Sequence, residues 1–528
     1  MLLRATLVLA MAGTAQAQTM VEQVGAAQIS TTLQQSAPVI KPPAVITPST
    51  PAAEAGATTP SVPSTPPSPA FLAALDTAQK SYQAGNYRQA QTQYEALVGQ
   101  NYQNAQAHFG LGLTLFALND LAGARFEFGQ LSALDPASFE GPYNLGVVAS
   151  RQNQNDEALA DFAKAAELAR GKVSAPVLRQ VLEALAGEQA RARNYPALAT
   201  TLAELVKTAP DDLDLQVREA QALTLAGQGT AALPLLYAVR AKAPANVDAA
   251  LLTADIYASQ QLADRGVREL DSAVAATQDS AARGRLLLRK ADLLAGLSRS
   301  KDALQAVQAA VKADPRNAAA QARLGELLVA RSDRGGALSA WQTAVKLEPV
   351  NALYRTNLAA VRLSLSQYAA AAQDARLALR ASPDAATQAR AQLVLGVASY
   401  RLGRYSEARS ALQSSALAAP GAEASLWLGL SSYALKDYAG AVTALSESVR
   451  LQPTPNARLN LGSALLSSGR YAEAETVLRA LVVEQPKNAE GWYQLGLARR
   501  AQGKTAEATS ALKTAANLGN SKAQGSLK

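Results

Sequence analysis

From Phe71 onward, apolar residues recur at helical spacing in pairs of short segments, and a break separates the two members of each pair. In residues 489–522, Trp492, Leu495 and Gly496 lie about one helical turn apart and share a face. Gly503 ends that segment, and Ala508, Leu512 and Ala515 resume the helical spacing beyond it. The pattern predicts helix, tight turn, helix. It returns about every 34 residues, a period that means stacked helical hairpins, each packing only on its neighbours. Pro136, Pro210, Pro244, Pro315, Pro349, Pro383, Pro420, Pro453 and Pro486 close successive units. Each lies about a dozen residues after Ala124, Leu198, Ala232, Ala303, Ala337, Ala371, Ala408, Ala441 or Ala474. Gly496 and Ala508 are small where the two helices of a unit should cross, because a larger side chain would hold the backbones apart.

The phase is not perfect. Extra residues interrupt it near Arg170–Pro176, and smaller slips fall near Ser280–Gly284 and Ala385–Ala389. Leu198 and Gly266 stand where alanine is usual, and Pro196 lies in a turn. The middle units are therefore expected to be the least regular, through tolerated drift or as hinges.

These residues resemble the tetratricopeptide repeat (TPR) family, in particular its exported bacterial members. Leu111-Gly112, Ala124, Phe128 and Pro136 fit one unit, and Leu145-Gly146, Ala158, Phe162 and Ala165 the next. Leu324-Gly325, Ala337, Trp341, Ala344 and Pro349 fit another, as do Gly462, Gly469-Arg470-Tyr471, Ala474, Leu478 and Pro486. The resemblance implies an all-α, right-handed α-solenoid of about thirteen stacked hairpins over residues 71–522, followed by a tail at 523–528.

The segment before the array has a different character. Arg4 precedes an apolar run from Ala5 to Ala12, and Ala15-Gln16-Ala17 gives a small-x-small cleavage pattern. Residues 1–17 are read as a signal peptide, which places the protein in the periplasm or at the cell surface. The run is too short to span a bilayer as a helix. Residues 18–70 are rich in Pro, Thr, Ser and Ala and poor in large apolar side chains, as in a disordered tether.

The chain has no cysteine and one histidine, which excludes a disulfide framework, a thiolate nucleophile and a Cys/His zinc site. His108 falls where the family packs an aromatic between helices, so it reads as a packing residue. No motif supplies a catalytic acid, a nucleophile or a phosphate loop, so neither an enzyme nor a cofactor is expected. The net charge of +8 is modest over so large a surface.

The resemblance further implies that first helices line a concave groove for protein or peptide partners. Carrying the family's groove positions onto this chain gives Phe109, Phe116, Tyr143 and Asn144 early in the array. Near its end it gives Asn357, Tyr400, Trp427, Tyr433, Asn460, Tyr493 and Arg500. The central groove is more charged and includes Arg218, Asp292, Arg323 and Glu326. Aromatic and Arg residues are favoured at interfaces. The amides of Asn144, Asn357 and Asn460 suit an extended peptide backbone. The family's carboxylate clamp is not reproduced, since Asn357 is followed by Arg390 and then by Val394. Residues 520–528 resemble the start of another unit, which leaves the surface around Ala508, Leu512 and Ala515 as an expected self-association site. The resulting expectation is an exported scaffold in cell-envelope assembly or maintenance. The alternative is an adaptor for polysaccharide secretion that binds an acidic glycan.

Overall fold

The computed structural model describes residues 67–526. The expected signal peptide, and the expected tether up to residue 66, lie outside the described residues. The described residues form 27 helices and no strand. They fall into two compact units, which meet in sequence at Thr277 and Gln278. The first holds six hairpins, from Pro69–Gln83 to Ala263–Ala276. The second holds seven, from Ser280–Gly296 to Thr505–Asn517, and a short last helix Ser521–Ser526.

Local chemistry sets the hairpin ends. Asn104, Asn246, Asn317, Asn351 and Asn488 cap first helices, each accepting the amide hydrogen three residues on. Asp120, Asp333 and Asp437 do the same for second helices. Every hairpin turn among the described residues holds one residue in the left-handed region. It is glycine at Gly85, Gly227, Gly403, Gly469 and Gly503, but Arg193 (φ 54°) and Lys436 (φ 65°) also occupy it.

The predicted crossing is real, with a different partner in the leading role. A Cβ placed on Gly325 would meet Trp341 Nε1 at 2.5 Å, and one on Gly496 would meet Leu512 Cγ at 2.7 Å. The first-helix glycine thus makes room for a large second-helix residue, while Ala508 contributes its backbone oxygen at 3.3 Å. Trp341, Phe128 and Phe162 are fully or almost fully buried in this slot.

The helices Ala175–Arg191, Ser280–Gly296 and Ala385–Arg401 each run 17 residues, where most first helices run 13, so about one added turn absorbs each slip. One expectation, the open surface at the end of the array, is corrected. The surface around Ala508, Leu512 and Ala515 is not left open. All three are buried, and Ala523 of the last helix packs against Leu512 and Ala515. Trp492 is only partly buried, with its indole N–H donating to the Pro486 carbonyl at 2.8 Å.

Within each unit, every hairpin packs on the next. First helices also pack on the first helices that follow them, as Ala385–Arg401 does on Ala422–Ala434. Second helices show no comparable packing on one another among the described residues. First helices therefore lie on the inner side of each stack. This arrangement places the candidate positions on an inner wall.

Candidate binding groove

In the first unit, most of the expected groove residues have been drawn into the core. Tyr143 is completely buried, edge-on to Phe162 at 5.4 Å, and its hydroxyl accepts from Gln180 Nε2. Burial raises this phenol to about 12. Phe109 is buried against Phe128 at 6.4 Å. Asn144 is buried, and its amide donates to the Glu140 carbonyl at 2.8 Å, one turn back. Phe116 alone keeps a partly open ring, with the Arg151 guanidinium 5.2 Å from its centre. These side chains hold hairpins together, and Tyr143, Phe109 and Asn144 offer a ligand no surface.

His108 lies in the same core, fully buried between the two helices of its hairpin. Its Nε2 lies 2.7 Å from the Tyr102 carbonyl. Its Nδ1 lies 2.5 Å from the Glu127 carboxyl. The imidazole fills an aromatic position and is fully engaged there. The packing role read from the sequence fits this geometry.

In the second unit the inner wall begins with charges that neutralise one another. Arg323 pairs with Asp292 at 2.8 Å and with Glu326 at 2.8 Å. Burial pushes both carboxyls up, and Arg323 pulls both back down. Behind the wall, on the second helix Tyr368–Arg380, Asp374 is buried between Arg362 at 2.5 Å and Arg355 at 3.7 Å. Arg390 gives one hydrogen bond, to Asn357 Oδ1 at 2.9 Å, and burial depresses its guanidinium. Asn357 is itself buried, as is Asn460, whose amide donates to the Asn456 carbonyl at 2.9 Å. All three candidate asparagines are therefore committed internally. Their place as open peptide contacts is corrected, because a buried amide must be satisfied by its neighbours.

Further along, the wall changes. Tyr400 and Trp427, on successive first helices, meet edge-to-face at 5.2 Å and remain partly exposed. Tyr400 also leans on Tyr405 at 5.3 Å, and the Arg401 guanidinium lies 5.0 Å from the Trp427 ring centre. Tyr433 repeats the first arrangement one unit on, against Tyr438 at 5.3 Å, and shares a 2.9 Å hydrogen bond with Ser467. Tyr400 and Trp427 form one cluster, whereas Tyr433 packs with the next hairpins. Tyr493 stands apart beside Lys522 Nζ at 5.9 Å, and Arg500 is exposed.

One residue of this cluster escaped the sequence reading. Glu423 lies one turn before Trp427 on the same helix and is half-buried. Burial raises its carboxyl to about 7, partly opposed by the neighbouring Trp427. A lone acid on a helix reads as a solvated one. The available signal was an acid one turn before a groove tryptophan, with no basic residue three or four positions away on its own helix.

Stacked hairpins with an inner wall of first helices define a repeat scaffold. The chain belongs to the tetratricopeptide repeat family, whose fold serves as a protein–protein interaction scaffold. One tetratricopeptide repeat family model matches residues 75–139, 288–333, 323–386, 393–456 and 459–523, and a second matches residues 143–172. The matched stretches flank residues 173–287, a region that contains the lengthened helix Ala175–Arg191. Curated proteins give no match. Similar solved structures include Naa15/Naa10 bound to HypK-THB, at 15% identity and a TM-score of 0.43, covering 87% of this chain and 77% of that one. Another is the APC/C hetero-tetramer Cut9-Hcn1, at 16% identity and a TM-score of 0.33, covering 85% of this chain and 94% of that one.

Proposed function

We propose that this TPR protein is an exported scaffold that holds a protein or peptide partner against the inner wall of its second unit, in assembly or maintenance of the bacterial cell envelope. The observation that carries the binding reading is the Tyr400–Trp427 pair, partly exposed on successive first helices, where most other candidate aromatics and amides are engaged inside the fold. The export reading rests on the N-terminal sequence. Among the described residues, no helix is long and apolar enough to cross a membrane.

Substitution of Trp427 and Tyr433 by alanine tests the binding site. Loss of partner binding with unchanged helical circular dichroism is the expected result, and a collapse of helicity would reassign both residues to the core. The acidic-glycan alternative draws on the +8 charge. A salt series separates the two, because polyanion binding falls steeply with salt and aromatic-led binding does not.

A further inference from the structure

We infer that Arg401, held over Trp427 and beside Tyr400, takes a carboxylate side chain of an extended polypeptide bound along the second unit. This rests on the groove reading above and adds which residue type of the partner is recognised. The Arg401 guanidinium lies over the Trp427 ring at 5.0 Å from its centre, and that ring meets Tyr400 edge-to-face at 5.2 Å. A guanidinium stacked on a ring spends its face there and keeps the N–H groups of its edge, the fork that a carboxylate accepts from bidentately. Arg401 is exposed, and its side chain forms no ion pair or hydrogen bond among the described residues. The half-buried Tyr400 hydroxyl has no hydrogen-bond partner there either. Burial and Tyr405 raise the Tyr400 phenol and Arg401 pulls it back down, so the two donors share one locality.

The surrounding charges leave Arg401 unanswered. The helix Ala385–Arg401 carries two arginines and no acid. Arg390 is spent on Asn357 Oδ1, and Asp384, which caps this helix, binds Thr387 at the far end. Of the neighbouring acids, Glu407 is held by Arg376 and Ser399, and Asp437 by Arg409. Glu423, one turn before Trp427, forms no salt bridge with Arg401. Other first-helix arginines of this unit meet carboxylates of the protein itself, as Arg323 meets Asp292, Arg362 meets Asp374 and Arg458 meets Glu484. At the aromatic pair the wall therefore complements an acid. The first unit stacks Arg151 over Phe116 in a similar way, but the hydroxyl beside it, on Ser150, already accepts from Arg191. A carboxylate at Arg401 would accept from the guanidinium edge and the Tyr400 hydroxyl, while apolar groups next to it in the partner lie against the indole.

The test uses the full-length protein and acetylated, amidated nonapeptides of alanine and serine, fluorescently labelled, with one central glutamate or its uncharged counterpart glutamine. Fluorescence anisotropy should show the glutamate peptide binding about tenfold tighter, roughly 1.4 kcal/mol. In R401Q that preference should vanish while the glutamine peptide binds as before, and in R151Q it should be unchanged. Circular dichroism confirms that both variants are folded. A glutamate preference that survives in R401Q, or no preference in the natural protein, overturns the inference. If both peptides bind alike and both are lost in W427A, the groove reading stands and the Arg401 contact falls. If neither peptide binds but a hyaluronan hexasaccharide does, and R401Q abolishes that binding, the charge serves an acidic glycan and the polypeptide inference falls. If none of the three binds, both readings fall.

Discussion

Two stretches of the same inner wall differ in what their polar groups have left to give. Between Asp292 and Glu326 the wall is crowded with charge, yet both acids are answered by Arg323. Between Tyr400 and Ser467 it is nearly free of ion pairs, and what it presents is the half-open rings of Tyr400, Trp427 and Tyr433 and the half-buried Glu423. The family's groove positions run through both. A groove position becomes a binding contact only where its bonding capacity is not consumed by the fold. By that criterion the charged stretch is structural and the aromatic stretch is available.

The largest expected effect breaks the contrast from the charged side. Arg323→Met leaves the buried Glu326 without its cation and should cost about 3–5 kcal/mol, read as a lowered urea midpoint. E423Q, which removes a charge that already lacks a partner, should leave the midpoint at neutral pH unchanged or raise it. Equal losses in the two variants would erase the distinction between the stretches.

A comparable contrast holds between two tryptophans. Trp341→Ala empties the slot over Gly325 and should destabilise by about 3–5 kcal/mol, the range for a buried aromatic. Trp492→Ala should cost clearly less, since part of that ring is already in water and its hydrogen bond to Pro486 is exposed. Thermal melts of the two variants rank them directly, and the reverse order would contradict the burial argument.

The smaller effect depends on pH. Glu423 in the folded protein titrates near 7, above the ordinary glutamate value of about 4.3. A raised carboxyl makes the folded state bind its proton more tightly than the unfolded state does. Its contribution is fully present below about 4.3 and is lost as pH rises through 7. The natural protein should therefore lose stability relative to E423Q between pH 4.5 and 8. A constant difference across that range would show that the carboxyl is solvated.

Much of this was legible in the sequence, and the remainder was not for physical reasons. The helical spacing around Trp492, the turn glycines such as Gly503 and the closing prolines gave the hairpins, because these constraints are local to one unit. The slips at Arg170–Pro176, Ser280–Gly284 and Ala385–Ala389 were visible, but not as added turns, since a longer helix and a longer loop change the count alike. The fate of Asn144, Asn357 and Asn460 was hidden for another reason. Each sits at a groove position, and its availability depends on contacts that the position does not specify, such as Arg390 reaching back 33 residues to Asn357. Glu423 went unread because its character comes from what does not surround it.

Hydroxyl-radical footprinting of the full-length protein, with and without a bound peptide partner, tests the availability claim most directly. Protection should appear at Trp427 and Tyr400, with no change at Trp341 or Tyr143, which the fold already covers. Oxidation of Trp427 and Tyr400 that is unaltered by bound peptide would contradict it.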